Sequence, residues 1–166
     1  VLGFLGPNGA GKTTTMKMLS CFMPPDGGTA KILGKDILTE SLAVRQRIGY
    51  LAENAPAYEE MSVKAFLKFV CDARGISGEA RRDAIDKVVK MCAVDNVYHQ
   101  LIGTLSKGYQ RRVGLAQALI HDPEVLLLDE PTDGLDPNQK HDVRQLIKKM
   151  AKHKCILIST HILEDR

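Results

Sequence analysis

The tightest constraint on how this chain can fold is a glycine-rich run set between an apolar segment and a helical one. Val1, Leu2, Phe4 and Leu5 surround one glycine and read as a short buried strand. Gly6-Pro7-Asn8-Gly9-Ala10-Gly11-Lys12-Thr13 follows and fits G-x-x-x-x-G-K-[ST] at every fixed position. Residues 12–19 then read as a helix. Strand, loop and helix in this order build a concavity. Glycines let successive N–H groups turn inward and let a ligand approach without a Cβ in its path. The helix start adds roughly half a positive charge, and Lys12 adds a full one. Such a loop suits phosphate oxygens, with the Thr13 hydroxyl able to ligate Mg²⁺ and Thr14 able to add a hydroxyl contact. The loop alone does not separate kinase, GTPase and motor. A guanine reader would usually carry Asn-Lys-x-Asp, and the nearest run, Asn138-Gln139-Lys140, does not fit.

The remaining pattern places this loop in an α/β protein. Pro24-Pro25-Asp26-Gly27-Gly28 is a strong break. Residues 29–33 are predicted as a strand, 34–36 as a turn and 48–51 as a second short strand. The middle of the chain is helical. Phe66, Phe69, Val70 and Ala73 share one helix face, and Ala84, Val88 and Met91 repeat the pattern. Ser106 can cap a third helix carrying Val113, Ala116, Leu119 and Ile120. These stripes read as core packing. Val125-Leu126-Leu127-Leu128 is a continuous apolar run, as expected of a strand buried on both faces. Asp136 caps a helix that opens on Pro137 and buries Val143, Leu146, Ile147 and Met150. Residues 155–158 are predicted as another buried strand. Strands alternating with helices imply a mostly parallel sheet flanked by helices, with the helical middle inserted between its units.

The run 125–128 ends in Asp129-Glu130, two carboxylates at the end of a buried strand, where ligands sit in open α/β sheets. Asp129 can hold Mg²⁺, and Glu130 can orient or deprotonate a water. Composition supports one soluble domain: 166 residues, 44% apolar and 26% charged. The longest apolar runs reach only about five residues, where a membrane-spanning helix needs roughly 20. A net charge of +3, from 23 basic and 20 acidic residues, is too mild to argue for nucleic acid, and none is expected as a partner. Cys21, Cys71, Cys92 and Cys155 lack metal or redox spacing and read as reduced, mostly buried thiols. His99, His121, His141 and His153 lack site context and are assigned to the surface.

These runs together resemble the nucleotide-binding domain of the ATP-binding cassette (ABC) superfamily. The resemblance rests on residues 6–14, Leu105-Ser106-Lys107-Gly108-Tyr109, Leu128-Asp129-Glu130-Pro131-Thr132, Gly134-Leu135-Asp136-Pro137 and Ser159-Thr160-His161, in the family's order. Ile48-Gly49-Tyr50-Leu51-Ala52-Glu53-Asn54-Ala55-Pro56 with 105–109 resembles ATPases of ABC-2-type exporters, including those associated with gliding motility. The resemblance implies a P-loop NTPase fold. Residues 1–57 and 104–166 would form the ATP-binding core and about 58–103 a helical subdomain that docks membrane helices. It implies a head-to-tail dimer around two Mg-ATP, a permease partner, and a location on the inner face of the cell membrane. Gly6, Pro7, Asn8, Gly9, Ala10, Gly11, Lys12, Thr13 and Thr14 would hold the nucleotide. Thr13, Asp129 and Glu53 would serve Mg²⁺. Ser106, Lys107, Gly108 and Tyr109 would face the γ-phosphate of the other subunit's ATP, with Gly108 leaving room for it. Glu130 would be the base, His161 would contact the γ-phosphate, and Asp136 would couple the two sites across the interface.

Three departures qualify the resemblance. Glu53 stands where the family commonly has Gln, a difference the exporter branch shares. Lys107 and Tyr109 replace the usual Gly and Gln of the signature run. The chain opens and closes on apolar runs, so the resemblance also implies further chain at both ends, including the adenine-stacking aromatic. The excised segment is therefore expected to be less stable than the whole domain. A soluble ABC ATPase of translation or DNA repair stays open as the alternative, and a non-hydrolysing switch or a metabolite kinase fits the motifs less well. The cargo is not readable, because the residues that would touch it belong to a membrane partner.

Overall fold

A computed structural model describes residues 1–53 and 58–160. Four parallel strands form the main sheet: β1 (Leu2–Leu5), β4 (Ile48–Leu51), β5 (Val125–Asp129) and β6 (Cys155–Thr160), in the order β1-β6-β5-β4. β5 lies inside the sheet, and all five of its residues are buried. Its alternate side chains serve two layers. Leu126 and Leu128 join the core under the later helices, while Val125 and Leu127 join a smaller core on the other face. A strand covered on both faces has no polar side to show, which is why residues 125–128 are unbroken valine and leucine before Asp129. β1 departs from the sequence expectation. It lies at a sheet edge, pairs only with β6 among the described strands, and leaves Leu2 exposed.

α1 (Lys12–Leu19) and α2 (Ser41–Arg47) cover one face, where Met16 and Val44 meet Ile48, Val125 and Leu127. α2 had no clear sequence signal: it is two turns long and buries only Val44. A small antiparallel hairpin precedes it, β2 (Lys31–Ile32) and β3 (Lys35–Asp36). The predicted strand over 29–33 and turn over 34–36 are shifted here. The turn is at Leu33 and Gly34, both at positive φ (51° and 78°), and Lys35 already returns as strand. Two central residues at positive φ match the right-handed twist of paired strands.

The other face carries α3 (Val63–Ala73), α4 (Gly78–Met91), two short 3₁₀ turns (Asp95–Val97 and Ile102–Thr104), α5 (Lys107–Leu119) and α6 (Pro137–Met150). Ser62 caps α3 by accepting from the Ala65 N–H at 3.2 Å. α3, α4 and α5 pack together through Phe66, Leu67, Val70, Ile85, Val88 and Leu115. α5 also lies directly on β4. A Cβ on Gly49 would stand 2.1 Å from the Ala118 carbonyl oxygen, so glycine sets how closely helix and strand approach. Among the cysteines, Cys71 and Cys92 are buried, Cys21 is half-buried and Cys155 is exposed at the start of β6, so "mostly buried" holds for only part of the set. His121 also corrects an expectation. It is half-buried behind α5, with Nε2 2.9 Å from the Ile48 carbonyl oxygen.

Candidate active site

The loop between β1 and α1 has the backbone the glycine pattern requires. Gly9 and Gly11 sit at φ 83° and 86°, a region that L side chains rarely enter. Lys12 begins α1 and is only 7% exposed. Its ammonium donates to the carbonyls of Gly6 at 2.7 Å and Pro7 at 3.1 Å, and lies 3.8 Å from Glu130 Oε1. The lysine is therefore folded over its own loop and held at the mouth of a cleft of about 560 Å³. Asn8, Gly9, Gly11, Lys12, Thr13, Thr14, Glu53, Glu130 and Asp133 line that cleft. Thr13 donates to Glu53 Oε2 at 3.4 Å, which puts the predicted departure residue beside the predicted Mg²⁺ hydroxyl.

The acidic pair sits where β5 ends. Asp129 is fully buried; its Oδ1 accepts from the Ser159 hydroxyl of β6, and its Oδ2 has no hydrogen-bond partner. Glu130 is turned the other way by a left-handed backbone (φ 47°). Its N–H donates to the Ser159 carbonyl at 3.1 Å and the Ser159 hydroxyl at 3.2 Å. The positive φ is what sends two successive carboxylates into different surroundings, and it costs on the order of 1 kcal/mol for a side chain other than glycine.

Mg²⁺ fits these residues. A buried carboxylate oxygen without a partner is expensive unless a cation or its water shell completes it. Three carboxylates (Glu53, Glu130 and Asp133) line the cleft with one ammonium, Lys12, a charge set that would repel a bare polyphosphate. Among the described residues no group of three or more His, Cys, Asp or Glu could hold a metal alone.

The structure separates the remaining predicted residues from this cleft. Ser106 caps α5 through the Tyr109 N–H at 3.4 Å, and none of Ser106, Lys107, Gly108 or Tyr109 lines the cleft. Two of them, Lys107 and Gly108, lie near the start of α6 instead. Asp136 accepts from the Gln139 N–H at 2.9 Å, and Gln139 Oε1 accepts from the Asp136 N–H at 3.4 Å, a reciprocal cap. The Gln139 amide lies over Gly108, where an added Cβ would be 2.3 Å from its Oε1. The room above Gly108 is thus filled within one chain by the cap of the next helix. His161 lies outside the described residues.

The first 133 residues match the ABC transporter family. The chain belongs to that family. The resemblance carried by the motifs is thereby borne out, and so is the α/β fold. The chain is 39% identical to the uncharacterized ABC transporter ATP-binding protein YxlF of Bacillus subtilis over 99% of its length. It is 38% identical to the Nod factor export ATP-binding protein I of Burkholderia orbicola over 98%, and 38% identical to the bacitracin transport ATP-binding protein BcrA of Bacillus licheniformis over 99%. It spans 54% of each of these relatives. Among solved structures it is similar to the dimeric bacterial ABC transporter cassette MJ0796, with a TM-score of 0.88 and 25% identity over 99% of this chain and 75% of that one. A second structure of that cassette, similar to the same degree, is a dimeric post-hydrolysis state with ADP and Pi.

Sequence reasoning passed over Arg111, whose contacts reach the backbone of the acidic positions. It is 8% exposed and sits on the buried face of α5. One guanidinium nitrogen donates to the carbonyls of Ala52 at 2.8 Å and Glu53 at 2.7 Å. The other donates to the carbonyls of Asp129 and Glu130. Burial pulls its pKa below the usual guanidinium value, opposed by the charges of Asp133, Asp129, Glu53 and Glu130. A signal existed: Gly108, Arg111, Leu115 and Ala118 repeat at core-facing helical spacing, and a charge in such a stripe needs a buried partner. Tyr50 neighbours the same carboxylates. Burial first, then Asp129 and Glu53, push its phenol up to about 12.

Proposed function

We propose that the protein is the ATP-binding and hydrolysing subunit of an ABC exporter, working as a head-to-tail dimer around two Mg-ATP. The observation that carries this reading is the division of the site. A phosphate loop and an acidic strand end share one cleft, while the capped helix start at Ser106 stands outside it. A second copy turned head to tail would bring Ser106, Gly108 and the first N–H groups of α5 to the open side of the first copy's cleft. The names of relatives that export or transport compounds support the exporter reading.

In this reading the N–H groups of residues 8–13 hold the phosphates, and Lys12 contacts their outer oxygens. Thr13, Asp129 and Glu53 hold Mg²⁺, which when bound neutralises phosphate charge. Glu130 accepts the proton of the attacking water, and His161 positions that water. Asp136 couples the two sites. Residues 1–57 and 104–166 form the core, and about 58–103 form a helical subdomain that docks a permease at the inner face of the cell membrane. Closure of the dimer draws its free energy from contacts that ATP makes only in the closed state.

Glu130→Gln in the full-length protein tests this. General-base removal should lower hydrolysis by roughly a hundred- to ten-thousandfold, leave ATP binding intact and trap a dimer visible by light scattering. Normal turnover by this variant would remove Glu130 as the base. Gentle extraction from the native host should copurify a polytopic membrane protein in stoichiometric amount. Recovery on ribosomes or DNA alone would instead favour a soluble ATPase.

A further inference from the structure

β4 and β5 pair in parallel up to Leu51 and Leu128, and the ladder then stops. The next residues carry the chemistry: Ala52 and Glu53 after β4, Asp129 and Glu130 at the end of β5. The carbonyls of all four accept from one side chain, Arg111, and the Glu130 carbonyl also accepts from the Asp133 N–H at 3.1 Å. Arginine suits this task because its planar fork presents five donors in fixed directions. A lysine ammonium is a point with three, and it could not span two strand ends at once. Arg111 stands five residues after Ser106 on the same helix, so the fork and the proposed phosphate-facing turn belong to one rigid element.

We infer that Arg111 is a positioning residue that couples the two ATP sites. It fixes where Glu53, Asp129 and Glu130 stand in one subunit's cleft and ties that placement to α5, whose first turn reads the other subunit's ATP. A shift of α5 when Ser106 engages phosphate is delivered through the fork to both strand ends. The stapling rests on this chain's own contacts; the transmission between sites rests on the function proposed above.

The test uses the full-length protein with Arg111→Lys and Arg111→Gln, and with Arg112→Lys as control. Arg112 is adjacent, but its guanidinium pairs with Asp142 at 2.9 Å on the outer side of α5. Amide hydrogen exchange, read without nucleotide, should accelerate by about tenfold at residues 52–53 and 130–133 in both Arg111 variants and stay at wild type in the control. kcat should fall by roughly ten- to a hundredfold, with the Mg²⁺ requirement raised and KM for ATP moved by less than about threefold. Ser106→Ala combined with Arg111→Lys should cost less than the product of the two single losses, because both act along one helix. Wild-type exchange at the strand ends overturns the staple. Faster exchange with multiplicative losses overturns the coupling and leaves only a structural clip. If Arg111→Lys does not fold, Arg111→Gln, which keeps two donors, supplies the same readouts. Wild-type protein that neither dimerises nor hydrolyses with Mg-ATP would refute the transmission together with the proposed function, while the exchange result would still judge the staple.

Discussion

Gly49→Ala tests how tightly α5 is held against the sheet. The added Cβ would stand 2.1 Å from the Ala118 carbonyl oxygen, 2.8 Å from Leu126 Cδ2 and 2.9 Å from Pro123 Cγ. Carbon–oxygen contacts relax only near roughly 3.3 Å, so the helix must retreat by about 1 Å. The Leu126 methyl can rotate away, but the Ala118 oxygen is α5's own backbone and cannot. Overpacking of this kind costs about 1–3 kcal/mol, and a backbone obstacle places the variant at the upper end. At about 2–4 °C per kcal/mol for a domain of this size, Tm should fall by roughly 6–12 °C. Gly3→Ala is the matched control: its Cβ meets nothing within 4 Å, and it also lies in a strand of the same sheet. That variant should stay within about 0.5 kcal/mol of wild type. The assay is thermal and urea unfolding of the full-length protein, followed by ATPase measurements well below both transitions. Hydrolysis should drop in the Gly49 variant even where it is folded, because α5 carries Ser106 and Arg111. A Gly49→Ala protein melting within about 2 °C of Gly3→Ala would refute the reasoning.

Two further predictions concern single side chains. Glu53→Gln keeps an acceptor for the Thr13 hydroxyl but removes a charge, so nucleotide affinity should hold within about threefold while the Mg²⁺ concentration for half-maximal rate changes; identical Mg²⁺ titrations would take Glu53 out of the site. His121 has its pKa lowered to about 4, first by burial and then by Arg74. The unfolded chain therefore binds a proton near pH 6.5 that the folded protein refuses until about pH 4, and stability should fall as pH drops through that window. Allowing for solvent screening, the loss is about 1–2 kcal/mol. His121→Gln can still donate to the Ile48 carbonyl and should flatten the slope in urea melts between pH 4 and 6.5; an unchanged slope assigns the dependence to other groups.

The legible parts of this protein are those in which local chemistry decides. The loop at 6–13, the caps at Ser106 and Asp136 and the doubly covered strand 125–129 each need particular residue types in consecutive positions, and the structure puts each in place. What escaped depends on neighbours distant in sequence. Nothing in Val1 to Leu5 says that β1 would take the sheet edge. Gly49 looks like any strand glycine until Ala118 is brought over it. His121 reads as surface because its ring's partner, the Ile48 carbonyl of β4, lies more than seventy residues earlier in the chain. Arg111 is the informative miss, since its position in an apolar stripe was visible but its acceptors lie on two separate strands.

Gly108 shows how separate local readings can meet in one structure. From sequence it has one reason to be glycine, space for a phosphate, and Asp136 has another reason to be acidic, capping a helix. In the folded chain the Gln139 amide occupies the space over Gly108 while its Oε1 closes the cap on Asp136. A Cβ added at Gly134 would stand 3.8 Å from Lys107 Cδ, so the start of α5 and the approach to α6 come near each other at two points. On the proposed function, a phosphate arriving over Gly108 would compete with Gln139 for the same room. Moving that amide removes the acceptor for the Asp136 N–H and opens one half of the cap, while the exposed Asp136 carboxylate keeps the Gln139 N–H. The turn at Ser106–Tyr109 and the cap at Asp136 are therefore joined through the Gln139 amide. Ligand occupancy above α5 would be read out at the first turn of α6 through Gln139, just as Arg111 would carry it to the strand ends beneath.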